Sequence, residues 1–155
     1  MEKLIQIQEK PMIGIGRASN MLWAHFGELL QVKNYRGIDM EKGEYALHIQ
    51  CPWRFMKNHV IILGSNDFYV PTRENENNFD WQIIGHSVFD KSAQKISNEV
   101  CPVKVKNVEV DVIGNLRIYL EQEIILEAFP VNSTIEESWR FINNLTGEHI
   151  IIFEE

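Results

Sequence analysis

The chain has 155 residues, 45% of them hydrophobic and 24% charged, which predicts one domain over 1–155 with an ordinary apolar core. The formal net charge is −7 and the basic residues form no run, which argues against nucleic acid as a partner. No stretch approaches the roughly 18 apolar residues of a membrane span, and the N-terminus lacks a signal-peptide core, so no membrane segment and a cytoplasmic protein are predicted.

The first half reads mainly as strands, because its apolar side chains recur with a period of two. Strands are predicted at 4–7, 21–26, 45–50 and 60–63. The first ends before Pro11, the second turns at Gly27, and a loop is expected over 34–43. The run 60–63 is apolar without alternation, which indicates a more fully buried strand. Pro52 cannot donate to a ladder, so the Cys51-Pro52 step is predicted at a strand end, bulge or edge.

One main helix is predicted over about 87–97. Ser87 and Asp90 stand at capping-box spacing, and Phe89, Ala93 and Ile96 recur at helical spacing after them. An exposed loop is expected over 71–78, ahead of the helix. Strands then return, at 103–111, 116–120, 124–129 and 149–153. The linkers are too short for repeated helical crossovers, so the fold class is α+β, mainly antiparallel β-sheet with that one helix.

A repeated tripeptide suggests that the chain contains two similar β halves. Trp53-Arg54-Phe55 and Trp139-Arg140-Phe141 each follow a stretch that reads as an apolar hairpin, turning near Gly27 in one case and near Gln122 in the other. Little else matches between the halves. Internal duplication and coincidence of a short string therefore both stay open.

The same tripeptides supply the candidate ligand-binding residues Trp53, Arg54, Trp139 and Arg140. Tryptophan contributes large rigid contact area, and arginine offers a planar fork for carboxylates, so a cleft lined by them would hold an anionic ligand. The structural alternative places Trp and Phe at alternate positions toward the core, with the arginines facing solvent or a carboxylate.

Other chemistry finds little support in the sequence. The run Gly14-Ile15-Gly16 lacks the third glycine of a dinucleotide fingerprint and is interpreted as a turn or bulge. His48 and Cys51 have metal-ligand spacing, with His25 or Cys101 as further ligands, but no second ligand pair completes a zinc site. No spacing marks a catalytic triad. We therefore expect no catalytic residue, no metal and no cofactor, and both cysteines as reduced thiols.

The motif His48-Ile49-Gln50-Cys51-Pro52-Trp53-Arg54, the Gly64–Asp67 turn and the later Glu137–Phe141 segment resemble a pattern in small uncharacterised bacterial proteins, some of them immunity-protein-like. The resemblance carries no catalytic or binding residue. It implies only that a protein partner is worth considering.

The preferred functional hypothesis is a non-enzymatic binding or interaction protein, with a basic protein as the partner that an acidic surface would attract. The alternative is an enzyme or a binder of small anionic ligands that uses the Trp/Arg cleft. A homodimer through a sheet edge or an apolar face is a third hypothesis, since symmetric pairs are common.

Overall fold

A computed structural model describes residues 4–134 and 136–152 of the chain. The strands are β1 (Pro11–Ala18), β2 (Met21–Lys33), β3 (Asp39–Ile49), β4 (Trp53–Lys57), β5 (Val60–Gly64), β6 (Val103–Val110), β7 (Leu116–Leu120), β8 (Ile124–Ala128), β9 (Trp139–Asn143) and β10 (Glu148–Ile152). Helix α1 (Val88–Lys95) continues into a π-helical turn (Ile96–Val100). Short 3-10 turns cover Leu4–Ile7, Ser65–Tyr69 and Arg73–Asn75.

The ten strands form one sheet in the order β10-β9-β3-β2-β1-β6-β7-β8-β4-β5, and every pair is antiparallel. This confirms the predicted α+β class with a mainly antiparallel sheet and one main helix. The two central strands, β1 and β6, have the shortest pairing in the sheet. Their register contains two residue pairs, Pro11 with Lys104 and Met12 with Val103.

The strand order has an internal two-fold symmetry. Renumbering β1–β5 as β6–β10, and the reverse, reproduces the same order read from the other end. Each half is a three-stranded meander followed by a hairpin, and each hairpin joins the meander of the other half. The two Trp-Arg-Phe segments start the equivalent strands β4 and β9, which lie second from the two edges of the sheet. The predicted similarity of the halves therefore extends to their topology.

The buried side chains of both halves form one apolar cluster, which requires the sheet to curve over itself. Alternation supplies these side chains: Leu22, Ala24 and Phe26 of β2 are fully buried. A hydrogen bond also crosses between the two halves of the sheet: the indole N–H of Trp139, on β9 beside β3, donates to the Gly114 carbonyl between β6 and β7, at 2.8 Å.

Helix α1 begins with the predicted capping box, in which the Ser87 hydroxyl accepts from the Asp90 N–H and the Asp90 carboxylate accepts from the Ser87 N–H. Asp90 also binds the guanidinium of Arg17 from β1, at 2.7 and 2.8 Å. Ser97, in the π-helical turn, accepts from the Ile15 N–H and donates to the Ile15 carbonyl. The helix is thus anchored along β1, one of the two strands at the centre of the sheet.

Several local predictions were wrong. Residues 4–7 form a 3-10 turn instead of a strand. The sequence predicts no strand over 11–18, which form β1, although the bulge between Met12 and Gly14 agrees with the interpretation of the glycine run as a turn or bulge. Strand β2 runs through Gly27 to Lys33 and β3 begins at Asp39, so only 34–38 of the expected loop over 34–43 connect the two strands. Strand β5 is an exposed edge, not a buried strand. Phe153, in the expected terminal strand, lies outside the described residues.

Candidate functional site

The two-fold relation allows the outward faces of the two halves of the sheet to be compared position by position. The first half of the sheet is β10-β9-β3-β2-β1, and the second half is β6-β7-β8-β4-β5. In the first half, Gly16 pairs with Trp23, Trp23 with His48, and His48 with Arg140. In the second half the equivalent row is Glu109, Arg117, Glu127 and Arg54. The strands pair in the same way in both rows, and the side chains differ at every position except the final arginine.

In the second half, ion pairs fill this row. The Glu127 carboxylate, 2% exposed, accepts from Arg54 at 3.3 Å and from Arg117 at 2.7 and 3.1 Å. Tyr119 in turn donates to Glu109. A cavity of only about 150 Å³ remains beside these groups.

In the first half, the corresponding face carries a cleft of about 580 Å³. This volume lies in the range of small-molecule sites. Its lining is largely apolar and consists of Ile13, Gly14, Ala18, Met21, Trp23, His25, Leu29, Met40, Glu41, Lys42, Ala46, His48, Ser97, Ile142 and Asn144.

A hairpin extension, residues 27–44, forms one wall of this cleft and has no counterpart in the second half. Between β7 and β8 the chain turns within Glu121–Glu123, using positive φ at Gln122 and Glu123. At the equivalent point β2 passes Gly27, whose φ of 84° accompanies a bulge, and continues outward. Leu29 and Met40 of the extension line the cleft while remaining 57% and 40% exposed.

Trp23 lies in the cleft because Gly16 has no side chain. A Cβ at position 16 would overlap the indole ring of Trp23, whereas a Cβ at Gly14 would meet only the Ser97 hydroxyl, at 3.7 Å. The indole also contacts the His25 ring, with centroids 4.7 Å apart. The glycine thus gives the indole a flat backbone surface to cover, as aromatic residues do over glycines in other sheets.

Two imidazoles, from His25 on β2 and His48 on β3, lie beside Trp23 in the cleft. Burial, and then the charges of His48 and Lys42, lower the pKa of His25 to about 4. Burial also lowers the pKa of His48, with further lowering by Arg140. Both rings are therefore neutral near pH 7. The Gly43 N–H donates to His25 Nδ1 at 3.4 Å, which leaves Nε2 as the protonated nitrogen.

The sequence-predicted site residues lie mostly outside this cleft. Trp53 is 3% exposed and packs edge-on against Phe55, Phe68 and Phe89, and Trp139 is fully buried. Both indoles therefore belong to the core.

The two arginines of the tripeptides make different surface contacts. Arg54 binds Glu127, with its guanidinium 5.0 Å from the Phe129 ring centroid. Arg140 binds Glu137 through two hydrogen bonds and contacts His149 Nδ1. Arg140 adjoins the cleft through its pairing with His48; Arg54 lies in the other half.

The segments just ahead of the two tripeptides do meet. The N–H groups of Gln50 and Cys51 donate to the Ser138 carbonyl, at 2.9 and 3.1 Å. From this point β4 and β9 enter different halves of the sheet. A shared ligand-binding role for the four residues stays a prediction, while their positions agree with the packing alternative.

The zinc hypothesis also gains nothing from the fold. His25 and His48 do approach each other, but Cys51 lies in the core behind them. Within residues 4–134 and 136–152, no group of three or more His, Cys, Asp and Glu side chains is arranged to hold a metal ion. Burial raises the pKa of both free thiols, Cys51 and Cys101, to about 11, so neither is an activated nucleophile.

Sequence reasoning missed Trp23 and Lys42 as site residues, and considered His25 and His48 only as metal ligands. The sequence does contain a signal for Trp23, His25 and His48. Trp23 and His25 alternate with three buried residues of β2, which places them on the face opposite the core: Leu22, Ala24 and Phe26. The same alternation holds for His48. Their convergence depends on strand register and on the hairpin extension, neither of which a pattern within one strand reveals.

Comparisons with protein-family models, with curated proteins and with solved structures gave no match. In the described part of the chain, no helix has the length and apolar character needed to cross a membrane.

Proposed function

We propose that the chain is a binding protein rather than an enzyme, and that it holds a small, largely apolar molecule in the cleft of the first half. The observation that carries this proposal is the contrast between equivalent positions. Ion pairs fill the row in the second half, whereas glycine, tryptophan and histidine leave it open in the first, and a half-specific hairpin extension walls the opening.

The chemistry of the cleft favours binding over catalysis. Its two histidines are neutral near pH 7, and no carboxylate among the described residues is hydrogen-bonded to either ring. Its hydroxyl group, Ser97, is held by the backbone of Ile15 through both a donated and an accepted hydrogen bond. A nucleophile activated by an oriented base is the arrangement that acyl or phosphoryl transfer requires, and these contacts do not provide it.

Binding of N-phenyl-1-naphthylamine, an uncharged probe that fluoresces in apolar surroundings, tests this proposal. We expect saturable binding to the native protein, weakened at least about fivefold in the Leu29→Ser/Met40→Ser double variant, which removes one apolar wall.

The matched control is Tyr35→Ser/Ile38→Ser. Tyr35 and Ile38 are exposed apolar residues of the same hairpin extension and do not line the cleft. Ile38 and Leu29 are both 57% exposed, whereas Tyr35, at 89%, is more exposed than Met40, at 40%. Urea unfolding of both double variants therefore accompanies the binding measurement, so that a loss of affinity can be separated from a loss of folding. No saturable binding, or equal loss in both double variants, would overturn the proposal.

A basic protein partner remains the second candidate, favoured by the formal charge of −7. This hypothesis includes the immunity-like role that the sequence resemblance suggests. Affinity capture from the source cells at low and at high salt tests it. We expect one basic protein to be retained at low salt and released at high salt; recovery of no basic protein at low salt would contradict it.

Two further sequence predictions stay proposals. Cytoplasmic location is supported by Cys51 and Cys101, both of which are free thiols. A homodimer through a sheet edge is testable by sedimentation equilibrium, in which a monomer mass at all concentrations would rule it out.

A further inference from the structure

Building on the proposed binding function, we propose that the ligand of the cleft is a small molecule with an apolar body and a single anionic head group, such as a carboxylate, which binds beside Lys42 and His25.

Lys42 is the residue that distinguishes this ligand from a purely apolar one. It lies on β3, lines the cleft and is half-buried, and no acidic side chain of the described residues forms an ion pair with it. Partial burial makes an ammonium group less stable unless an anion accompanies it. In a chain of net charge −7, a cation without a carboxylate partner inside a cleft is the more unusual.

The imidazoles add donor capacity at the same place. Because His25 Nδ1 accepts from the Gly43 N–H, its Nε2–H is available to donate to a ligand oxygen. The charged side chains nearest His48 are Arg140 and Lys42 as cations and Glu137 as a carboxylate, with Arg140 bound to Glu137. Among the described residues, the positive charge left without a carboxylate beside the two rings is thus that of Lys42.

Glu41 is a carboxylate in the cleft lining and would repel an anionic ligand, but its exposure to solvent weakens this repulsion. Glu41 is exposed to solvent, and the Gln31 side-chain amide donates to its carboxylate at 3.0 Å. Solvent screens an exposed charge far more than a half-buried one. The balance at the cleft therefore favours an anionic head, with the ligand body over Trp23 and between Leu29 and Met40.

Competition against bound N-phenyl-1-naphthylamine tests the head group. 4-Phenylbutanoate and 4-phenylbutanamide have the same apolar body and differ in charge. We expect the acid to displace the probe at an at least about fivefold lower concentration than the amide. If both compete equally, the anionic head group is wrong while the apolar site stands; if the probe itself does not bind, the proposed function fails.

Two charge-matched variants locate the effect. Lys42→Met removes the ammonium group but keeps an unbranched side chain one atom shorter, and it should raise the acid's inhibition constant to that of the amide, leaving the amide unchanged. Lys33→Met removes the same charge from the same hairpin extension, but Lys33 pairs with Asp39 outside the cleft, so the preference for the acid should persist. Loss of the preference in both variants would show a diffuse charge effect and overturn the assignment to Lys42.

The His25 ring supplies an independent readout. A carboxylate next to it should raise its pKa, measured by NMR titration, whereas the amide should leave the pKa unchanged. An unchanged His25 pKa with saturating acid would place the head group elsewhere and contradict the proposal.

Discussion

His48 and Glu127 occupy equivalent positions in the two halves of the sheet, each opposite the arginine of a Trp-Arg-Phe segment. Glu127 is bound by two arginines in a nearly closed surface, whereas His48 is neutral and lies in an open cleft. A two-fold symmetric sheet with one face filled by ion pairs and one open cleft is the physical basis of the proposed function.

The equivalent positions should respond differently to the same replacement. Glu127→Gln removes a buried carboxylate that accepts from Arg54 and Arg117. Because both guanidinium groups stay about half-exposed to water, it should lower the free energy of unfolding by about 2 kcal/mol. His48→Gln removes a partly buried ring that makes no charged hydrogen bond, and should cost less than about 1 kcal/mol. Urea unfolding measures both, and equal losses would contradict the distinction between a structural row and a binding row.

The Arg17–Asp90 pair should be the most important ion pair joining the helix to the sheet. Its side chains are 1% and 5% exposed, and Asp90 also accepts from the N–H groups of Gly85 and Ser87. Burial alone would raise the pKa of Asp90, but these hydrogen bonds lower it to about 2. Asp90→Asn should therefore cost about 3 kcal/mol of unfolding free energy.

Asp39→Asn is the control for that substitution. Asp39 pairs with Lys33 at 2.9 Å, but both side chains are at least 70% exposed, so the loss should stay below about 1 kcal/mol. Urea denaturation of the two variants under identical conditions decides the comparison. A loss for Asp90→Asn no larger than that for Asp39→Asn would refute this role of the pair.

Acid should destabilise the fold through His25. Its folded pKa of about 4 lies below its ordinary value of 6.5, so protons bind more tightly to the unfolded chain. The stabilisation is complete above about pH 6.5 and is lost as the pH falls toward 4. Because the ring is only partly buried, we expect a loss of about 1–2 kcal/mol, with His48 acting in the same direction.

The pH dependence can be assigned by substitution. His25→Gln should flatten the unfolding free energy between pH 6.5 and 4, whereas His59→Gln, at an exposed turn, should not. The Asp90 carboxyl does not interfere, since its stabilising effect is lost only below its ordinary pKa of 3.8. Thermal unfolding across this pH range gives the answer, and an unchanged slope in His25→Gln would exclude the ring as the cause.

Gly16→Ala should disturb the cleft indirectly, by displacing Trp23, because Gly16 itself does not line the cleft. The new methyl group overlaps the Trp23 indole, which must shift out of its position over the strand. We expect about 1–2 kcal/mol of destabilisation and a several-fold weaker affinity for N-phenyl-1-naphthylamine. Gly64→Ala is the control, because Gly64 lies on β5 outside the cleft and a Cβ there meets only the Trp53 carbonyl, at 3.9 Å. Its probe affinity should be nearly that of the wild type; equal weakening would disconnect Trp23 from binding.

Much of the fold could be predicted from local pattern. Alternation located β3, β7 and β8, and the Ser87/Asp90 capping box located the helix, because these signals depend on nearby residues. The prediction missed β1, where Gly14 and Gly16 replace the side chains that mark a strand.

Burial of β5 was mispredicted for a related reason. An apolar run does not say whether a strand lies at the centre or at the edge, and Val60 and Ile61 are more than half exposed. The cleft itself arises from register between β1, β2, β3 and β9 and from the hairpin extension. These are long-range relationships that no single segment encodes.

The most direct test is to locate bound 4-phenylbutanoate by NMR. We predict saturable shifts of the Trp23 indole N–H and the His25 and His48 ring signals, with the indole signals of Trp53 and Trp139 nearly unchanged because both lie in the core. No saturable shifts, or shifts concentrated at Arg54 and Arg117 in the second half, would contradict the assignment of the first-half cleft as the binding site.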